Sequence, residues 1–264
     1  MGFGIADLSI IPMRREPSER SEMVSQLLFG ELFEILETTE KWLYIRLFQD
    51  QYEGWIDRKM ALLVSDGYAH QYIVEDPVLT TEVFNIVTKE GDYGHKLLVA
   101  GSVLPFFDAR TKRLTLGEDH YTLISKMKEV GIDTLRELII SNALMFYNTP
   151  YLWGGRTPYG IDCSGLVQMV YRMVGISLPR DASQQVQKGQ NLSFIEEALP
   201  GDLAFFGDET GTITHVGILW EQNRIVHASG RVRVDRIDHH GIFNEELKRY
   251  THYLKAIKRI LSED

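Results

Sequence analysis

The sequence predicts an all-β N-terminal half followed by an α+β C-terminal half, and three observations lead to this prediction. Residues 1 to about 125 form short apolar runs separated by turn residues, without helical periodicity. From Asp133 the spacing of apolar residues becomes helical. Beyond Pro200, strand-like runs follow one another to the end of the chain. Helices followed by successive antiparallel strands are typical of an α+β layer.

The N-terminal half alternates apolar and polar residues between glycine breaks, which predicts small antiparallel barrels. The clearest alternation is Trp42-Leu-Tyr-Ile-Arg-Leu, and other strand segments are expected at 27–29, 32–36, 52–56, 97–100 and 103–107. The length of this half suits two barrels of roughly 60 residues each. We therefore expect one barrel over 1–66 and a second over 67–127. A third domain then covers 128–264.

The third domain is expected to open with two helices. Asp133 can cap the first helix, one face of which carries Leu135, Leu138, Ile139 and Leu144, and Asn148-Thr-Pro ends it. The second helix begins at Asp162 or Cys163, and its apolar face carries Leu166, Met169, Val170 and Met173. Gly175 suits a left-handed residue after its end. Strands are expected at 202–206, 213–220, 224–228, 232–237 and 253–260.

Composition excludes several classes of function. The chain has 28 Lys and Arg against 37 Asp and Glu, a formal charge of −9, and no basic cluster. This argues against binding to nucleic acid or to an anionic membrane surface. The single cysteine excludes an intramolecular disulfide and a zinc site built from several cysteines.

The N-terminus carries no basic segment followed by an apolar one, and no apolar run of 18 residues occurs. We therefore expect no secretory signal and no membrane span. The expected location is the cytoplasm, or the cell envelope if a signal peptide preceded these residues.

Cys163 is the first candidate for chemistry. It follows the glycine-rich stretch YLWGGRTPYGID, which begins at Tyr151, and lies at a predicted helix start. Unpaired N–H groups and the helix dipole favour a thiolate there, and the pKa of such cysteines falls to about 3.5–7.5. Ser164 and Gly165 are small and are expected to leave room for a substrate. The alternative is a buried structural cysteine.

His215 and His227 are the second candidates, because they stand twelve residues apart on successive predicted strands. A hairpin turn near 221–223 brings such positions almost opposite each other. One imidazole can then deprotonate Cys163 while the other orients it. Taken alone, a histidine in such a position is more often a core or edge residue than a catalytic one, and only the pairing behind a helix-start cysteine favours the catalytic interpretation.

The remaining histidines suggest no site. His239 and His240 are adjacent, so their side chains are expected to diverge on a strand surface. A Cys/His/His zinc site has too few ligands and no fixed spacing to be favoured. No pattern includes the other four histidines, which are His70, His95, His120 and His252.

Five motifs occur in order in the C-terminal half: YLWGG from Tyr151, GIDCSGL from Gly160, PRDASQQ from Pro179, GDLAFF from Gly201 and ITHVGI from Ile213. Together they closely resemble the NlpC-type cell-wall cysteine peptidases over about residues 133 to 260. The resemblance implies a papain-like α+β domain. It also implies that Cys163 is the nucleophile, His215 the base and His227 the orienting third residue.

Two N-terminal segments, SEMVSQLLFGE from Ser21 and QYEGWI from Gln51, look like a bacterial SH3-like barrel. This barrel precedes the peptidase domain in the γ-D-glutamyl-L-diamino-acid dipeptidyl-peptidases of murein recycling. The fold class expected is therefore α+β, a papain-like catalytic domain preceded by one or two small all-β SH3-like barrels. The segment 67–127 is the divergent second barrel.

The same resemblance implies residues that contact the substrate. Tyr151 would lie beside the oxyanion, and the bound peptide would be contacted by Asp162, Ser164 and Ser183. In the alternative reading, Tyr151 only packs, Asp162 and Asp181 cap helices, and Ser183 lies in a first helical turn. In the barrel, Glu22 and Tyr52 match positions that close the amino end of the substrate. Without the resemblance, Glu22 reads as a solvated carboxylate.

The activity implied is hydrolysis of the bond between the γ-carboxyl of D-glutamate and a diamino acid, lysine or diaminopimelate, in murein peptides. No metal or cofactor and no protein partner are expected. The alternatives are a murein amidase, an acyltransferase on the same scaffold, and a non-catalytic cell-wall-binding protein. The substrate is expected to need a free N-terminal L-alanine whose ammonium group reaches Glu22 and Asp162. N-acetylation is then expected to leave two carboxylates unpaired and to lower kcat/KM roughly a hundredfold.

Overall fold

A computed structural model describes residues 2–125, 134–221 and 223–261. They fall into two units, Met1–Glu129 and Val130–Asp264. Asp133, expected to cap the first helix of the second unit, lies outside the described residues. Among the helices described, none is long and apolar enough to cross a membrane.

The first unit begins with a seven-stranded antiparallel, barrel-like sheet. Its order is β3-β2-β6-β5-β4-β1-β7, where the strands are β1 Gly2–Ala6, β2 Ile10–Arg14, β3 Met23–Leu28, β4 Leu32–Thr38, β5 Trp42–Leu47, β6 Glu53–Asp57 and β7 Ala61–Val64. In β5 the predicted alternation holds, since Leu43, Ile45 and Leu47 are buried and their neighbours are not. A single 3₁₀ turn, Arg58–Met60, separates β6 from β7.

A helix follows that the periodicity did not predict, α1 Asp66–Val74. Its buried face consists of only Ala69 and Tyr72, too few residues to give an amphipathic pattern. Ser65 caps it by accepting the N–H of Tyr68. The Tyr72 hydroxyl donates to the Gly30 carbonyl at 2.7 Å, which fixes the helix to the first sheet.

Residues 75–125, the described remainder of the first unit, contain six short strands. They form a four-stranded sheet, β10-β9-β13-β12, and a two-stranded sheet, β11-β8, from β8 Val78–Leu79, β9 Phe84–Lys89, β10 Lys96–Val99, β11 Val103–Leu104, β12 Arg113–Leu116 and β13 Asp119–Leu123. One hydrophobic cluster joins Ile5 and Phe29 of the first segment to Val87 and Leu98 of the second. The segments on either side of residue 66 therefore share a core.

In the described part of the second unit, helices pack against a seven-stranded sheet. The elements of this unit are α2 Leu135–Met145, β14 Arg156–Thr157, β15 Gly160–Ile161, α3 Cys163–Arg172, α4 Ala182–Gln185, β16 Gln190–Leu192, β17 Leu203–Gly207, β18 Ile213–Leu219, β19 Arg224–Ser229, β20 Arg231–Asp238, β21 Gly241–Asn244 and β22 Arg249–Arg259, with a 3₁₀ turn at Ile195–Glu197. The sheet order is β16-β22-β17-β18-β19-β20-β21, and a further pairing of β21 with β22 closes the last six strands into a ring. The strands β14 and β15 pair in a separate two-stranded sheet.

The helix α3 occupies the centre of this unit, against α2 on one side and β18 and β19 on the other. Every residue from Cys163 to Tyr171 is buried, so the helix is covered all round and not on one face only. Its predicted start at Cys163 is confirmed, and Gly175 has the left-handed conformation expected after its end. For α2, Thr134 is the N-cap in a capping box with Glu137, and the helix ends at Met145, before Asn148.

Candidate active site

Cys163 is the first residue of α3, and its surroundings are set by the helix start. Asp162 is the N-cap residue, and its Oδ1 accepts the Gly165 N–H at 2.7 Å. The Cys163 thiol is 7% exposed. Its sulfur accepts the backbone N–H groups of Ser164, on the helix, and Val216, on β18. The sulfur therefore lies against the strand that carries His215.

The expected fall in the pKa of Cys163 is wrong for this structure. Burial and the neighbouring Asp162 carboxylate raise the pKa of the Cys163 thiol to about 11, and they outweigh the two N–H groups and the Arg180 guanidinium. Loss of solvation penalises the thiolate more than the helix start favours it. The cysteine is a neutral thiol at neutral pH.

The small residues beside Cys163 were expected to leave room for a substrate, but the structure shows that glycine here allows close packing of the backbone. A Cβ at Gly165 would lie 2.3 Å from the carbonyl oxygen of Gly155, and one at Gly155 would lie 2.4 Å from that of Gly160. The glycines thus let the loop backbone pack directly on the first turn of α3. The space next to Gly165 is filled by this loop and not left for a substrate.

A buried charged network, the helix-start cluster, consists of Asp162, Ser164 and Arg180. The Arg180 guanidinium is 1% exposed and contacts both oxygens of Asp162, at 3.0 Å through Nη1 and 2.5 Å through Nη2. Arg180 Nη1 also donates to Ser164 Oγ at 2.9 Å. The second Asp162 oxygen accepts the Gly154 N–H at 2.8 Å. The carboxylate is therefore satisfied by two backbone N–H groups and a two-point ion pair.

This network corrects the prediction that Asp162 needs a substrate ammonium as its partner. Arg180 already neutralises its charge, so a substrate without an ammonium group does not leave it unpaired. Arg180 stands in the motif PRDASQQ but was not singled out in the sequence. The available signal was that Arg180, a basic residue, directly precedes Asp181, which was itself a candidate helix cap in this motif.

His215 and His227 lie on β18 and β19 and are joined directly. His215 Nε2 and His227 Nδ1 are 3.0 Å apart, and both side chains are buried. In the strand register Gly217 is opposite His227, so His215 lies two residues away from the directly opposed position. A Cβ at Gly217 would be 2.9 Å from the His227 Cβ, which is why glycine is required between the two imidazoles.

Asp235 on β20 extends this pair. His227 Nε2 and Asp235 Oδ2 are 3.0 Å apart. Arg233 holds the carboxylate through two contacts, Nε to Oδ2 at 2.8 Å and Nη2 to Oδ1 at 2.9 Å. Asp235 was not among the residues predicted from the sequence. The available signal was an acidic residue on the same face of its strand as the buried Ile237.

His252 on β22, to which the sequence assigned no role, also lies here. Its ring stacks on that of His215, with centroids 4.2 Å apart and planes 26° apart. We call His215, His227, His252 and Asp235 the histidine cluster. Burial lowers the pKa of each of its three imidazoles, for His215 well below the usual value and for His252 to about 4. All three are neutral at neutral pH.

Tyr151 precedes the start of α3 in the sequence and Ser183 follows it, and the two side chains differ in their exposure. Tyr151 forms a parallel bridge to Ile161 and is partly buried, and burial together with the nearby Cys163 and Asp162 raises the pKa of its hydroxyl. Ser183 is exposed in α4. The buried Gln185 of α4 reaches further in, since its Nε2 donates to the Ser164 carbonyl at 3.0 Å. Asp181 is the N-cap residue of α4, in agreement with the capping interpretation.

Glu22 and Tyr52 belong to the first unit. Glu22 pairs with Arg15 at 2.6 Å, and its side chain is 36% exposed. Tyr52 is partly buried against the core of the first sheet. These surroundings agree with a surface carboxylate and a packing aromatic, and the roles at the amino end of a substrate stay predictions.

His239 and His240 are exposed, as expected, but the expectation that their side chains diverge is wrong. They lie in the turn between β20 and β21, and their ring centroids are only 3.9 Å apart. In a turn, adjacent side chains do not alternate as they do on a strand.

Two known families match the chain. The NlpC/P60 family matches residues 148–251, and the bacterial dipeptidyl-peptidase Sh3 domain matches residues 13–59. The NlpC/P60 match contains α3, the helix-start cluster and most of the histidine cluster.

Relatives and a solved structure extend the match over the whole chain. A dipeptidyl-peptidase 6 of Lysinibacillus sphaericus is 31% identical over 256 residues, 88% of this chain and 91% of the relative. A γ-D-glutamyl-L-lysine dipeptidyl-peptidase of Bacillus cereus is 24% identical, over 79% of this chain and 68% of the relative. The crystal structure of an NlpC/P60 family protein from Bacillus cereus has the same fold, with a TM-score of 0.82, 17% identity, and coverage of 98% of this chain and 100% of that one. The chain belongs to the NlpC/P60 family of cell-wall peptidases, with a bacterial SH3-type domain at its N-terminal end.

Proposed function

We propose that this peptidase hydrolyses the bond between the γ-carboxyl of D-glutamate and the diamino acid that follows it, lysine or diaminopimelate, in peptides derived from murein. The observation that carries the proposal is the single cysteine at a buried helix start, against the strand that begins the His215–His227–Asp235 chain. The choice of bond is supported by the name of the Bacillus cereus relative, a γ-D-glutamyl-L-lysine dipeptidyl-peptidase.

The reaction starts from a neutral thiol and a neutral imidazole. Since His215 Nε2 is engaged with His227, its Nδ1 is the nitrogen that takes the proton of the Cys163 thiol. The sulfur attacks the γ-carbonyl carbon and forms a C–S bond, and the electron pair of the C=O bond moves to the oxygen. The pKa of the buried thiol is raised, so proton transfer accompanies the attack and does not precede it.

The tetrahedral oxyanion then needs hydrogen-bond donors. The backbone N–H of Cys163, at the start of α3, and the Tyr151 hydroxyl are the groups proposed for this role. When the intermediate collapses, the C–N bond breaks, and the His215 imidazolium gives its proton to the leaving amine. A water molecule, deprotonated by His215, next attacks the thioester, and Cys163 leaves as the thiol.

Asp235 acts on this cycle through His227. During the reaction His215 carries a positive charge, and His227 can accept its Nε2 proton as a hydrogen bond only if its own proton is on Nε2, facing Asp235. The carboxylate therefore fixes the tautomer of His227. Arg233 keeps Asp235 in place.

The substrate is proposed to be a peptide already released from the wall, with a free N-terminal L-alanine; a cytoplasmic location would suit it. Because Arg180 already pairs with Asp162, an ammonium group adds to a satisfied carboxylate. We therefore expect N-acetylation to lower kcat/KM by about tenfold, the scale of one lost exposed or shared charge contact, and not by a hundredfold. Glu22→Gln tests whether the barrel carboxylate contributes to that preference.

The test is a time course on L-Ala-γ-D-Glu-L-Lys with both product ends identified by mass spectrometry. Release of L-Ala-D-Glu and lysine, abolished in a folded Cys163→Ala variant, supports the proposal. With a muramyl peptide as a second substrate, cleavage next to the muramyl group identifies an amidase, and with either substrate transfer of the acyl group to an added amine identifies an acyltransferase. Binding to sacculi by wild-type protein that turns over none of these substrates would identify a cell-wall-binding protein.

A further inference from the structure

We propose that His252 is a positioning residue for His215: it covers one face of the imidazole and holds the ring in the orientation that receives the Cys163 proton. This role deepens the proposed function and rests on it. No pattern in the sequence included His252, which lies on β22, far in the chain from Cys163.

The first argument is the stacking itself. The rings of His215 and His252 are 26° from parallel with centroids 4.2 Å apart, whereas the His227 ring meets His215 at 86°. His227 therefore fixes one edge of His215 through a hydrogen bond, and His252 fixes a face. An imidazole held only at one nitrogen can still rotate about that hydrogen bond, and a contact on its face opposes the rotation.

The second argument is that His252 is itself held. Thr251 Oγ1 and His252 Nδ1 are 2.9 Å apart, and the Phe206 ring meets His252 edge-on with a centroid distance of 6.0 Å. His252 is partly buried on β22, which pairs with β17, and β17 pairs in turn with the strand of His215. A rigid, packed neighbour of this kind orients a catalytic side chain better than a mobile one.

A shared metal ion is the competing explanation, since the ligand atoms of His215, His227 and His252 lie within 4.8 Å of one another. Two stacked imidazoles direct their in-plane lone pairs along lines that are confined to two separate planes, here only 26° from parallel. A tetrahedral ion at about 2.0–2.1 Å from each nitrogen needs those lines to converge at a wide angle. The stacking geometry therefore favours a ring support over a metal site.

The test uses the single cysteine as a reporter that does not depend on the substrate. The second-order rate of alkylation of Cys163 by iodoacetamide at pH 7.5 is measured by intact-mass spectrometry for wild type, His252→Ala and His252→Phe. The exposed turn residue His239 provides the matched control, His239→Ala. Steady-state kinetics on L-Ala-γ-D-Glu-L-Lys are measured in parallel, with urea unfolding to establish that each variant is folded.

His252→Ala is expected to slow alkylation and lower kcat about tenfold, with KM changed less than twofold, because a misplaced base costs rate and not binding. His252→Phe keeps the stacked ring and is expected to recover both rates to within about threefold of wild type. His239→Ala is expected to match wild type in both assays.

Three results would overturn the role. One is an alkylation rate in folded His252→Ala equal to wild type. Another is a folded His252→Phe variant as slow as His252→Ala, which would assign a polar function to the imidazole. The last is micromolar Zn²⁺ binding by wild type that both variants lose, which would identify a metal ligand. If the alkylation pattern is as expected but the peptide is not cleaved, the proposed substrate is wrong and the positioning role stands.

Discussion

The helix-start cluster and the histidine cluster are two buried polar networks in the same unit, and they handle charge in opposite ways. In the helix-start cluster, Asp162 and Arg180 form a buried ion pair in which each neutralises the other through two contacts. In the histidine cluster, burial lowers the pKa of His215 and His252, and both imidazoles stay neutral. A permanent ion pair suits the positioning of a helix, whereas neutral imidazoles suit the transfer of protons.

Breaking the ion pair is expected to have the largest effect. Arg180→Ala leaves the Asp162 charge buried without its guanidinium, and removing one partner of a buried pair destabilises by about 3–5 kcal/mol. Urea unfolding measures this loss. Replacing both residues, Asp162→Asn with Arg180→Met, removes both charges and is expected to recover part of the loss. A double variant less stable than Arg180→Ala would show that the charges are not the cause.

Removing the carboxylate at the end of the histidine cluster is expected to lower the rate of catalysis. Asp235→Asn keeps the shape but no longer fixes the tautomer of His227, and a comparable loss of orientation lowers kcat by about 10- to 100-fold. Steady-state kinetics with unchanged KM check the prediction. Asp238→Asn, on the same strand but hydrogen-bonded to Tyr250, is the matched control and is expected to retain activity. Equal rates in wild type and Asp235→Asn would exclude Asp235 from the relay.

The raised pKa of the Cys163 thiol predicts how the reactivity of this residue depends on pH. Because the pKa of the thiol is raised to about 11, the thiolate fraction grows throughout the range from pH 7 to 10. Alkylation by iodoacetamide is therefore expected to accelerate at least tenfold between these pH values, without a plateau. A rate that is already constant from pH 5 upward would show a resting thiolate–imidazolium pair and contradict this description.

Residues near one another in the chain, or spaced by a regular period, were predictable. The start of α3, the capping by Asp162 and the pairing of His215 with His227 all follow from local spacing. His252 and Asp235 were not, because strand register across the sheet brings them to His215 and His227. The helix α1 was missed because only two of its residues are buried.

The pKa of Cys163 could not be predicted from the sequence for a different reason. The helix start is visible in the pattern, and its dipole predicts a low pKa. The burial of the sulfur against β18 depends on the tertiary fold, and it reverses the direction of the shift.

The smallest expected effect is a loss of folding stability at acidic pH, which arises from the histidine cluster. Each imidazole of the histidine cluster has a folded-state pKa below its ordinary value of 6.5. As the pH falls, the unfolded chain takes up these protons first. The stabilisation is therefore complete above pH 6.5 and is lost as the pH falls towards the folded-state pKa, about 4 for His252. Each histidine contributes a slope of at most about 1.4 kcal/mol per pH unit.

Urea unfolding at pH 7.5, 6.0 and 5.0 measures this dependence. His252→Phe removes one of the three groups, so its free energy of unfolding is expected to fall less steeply than that of wild type below pH 6.5. His239→Ala, whose imidazole is exposed in a turn, is expected to follow the wild-type curve. Parallel curves for wild type and His252→Phe would mean that His252 is protonated in the folded chain, and the stacked pair would then carry charge that burial should exclude.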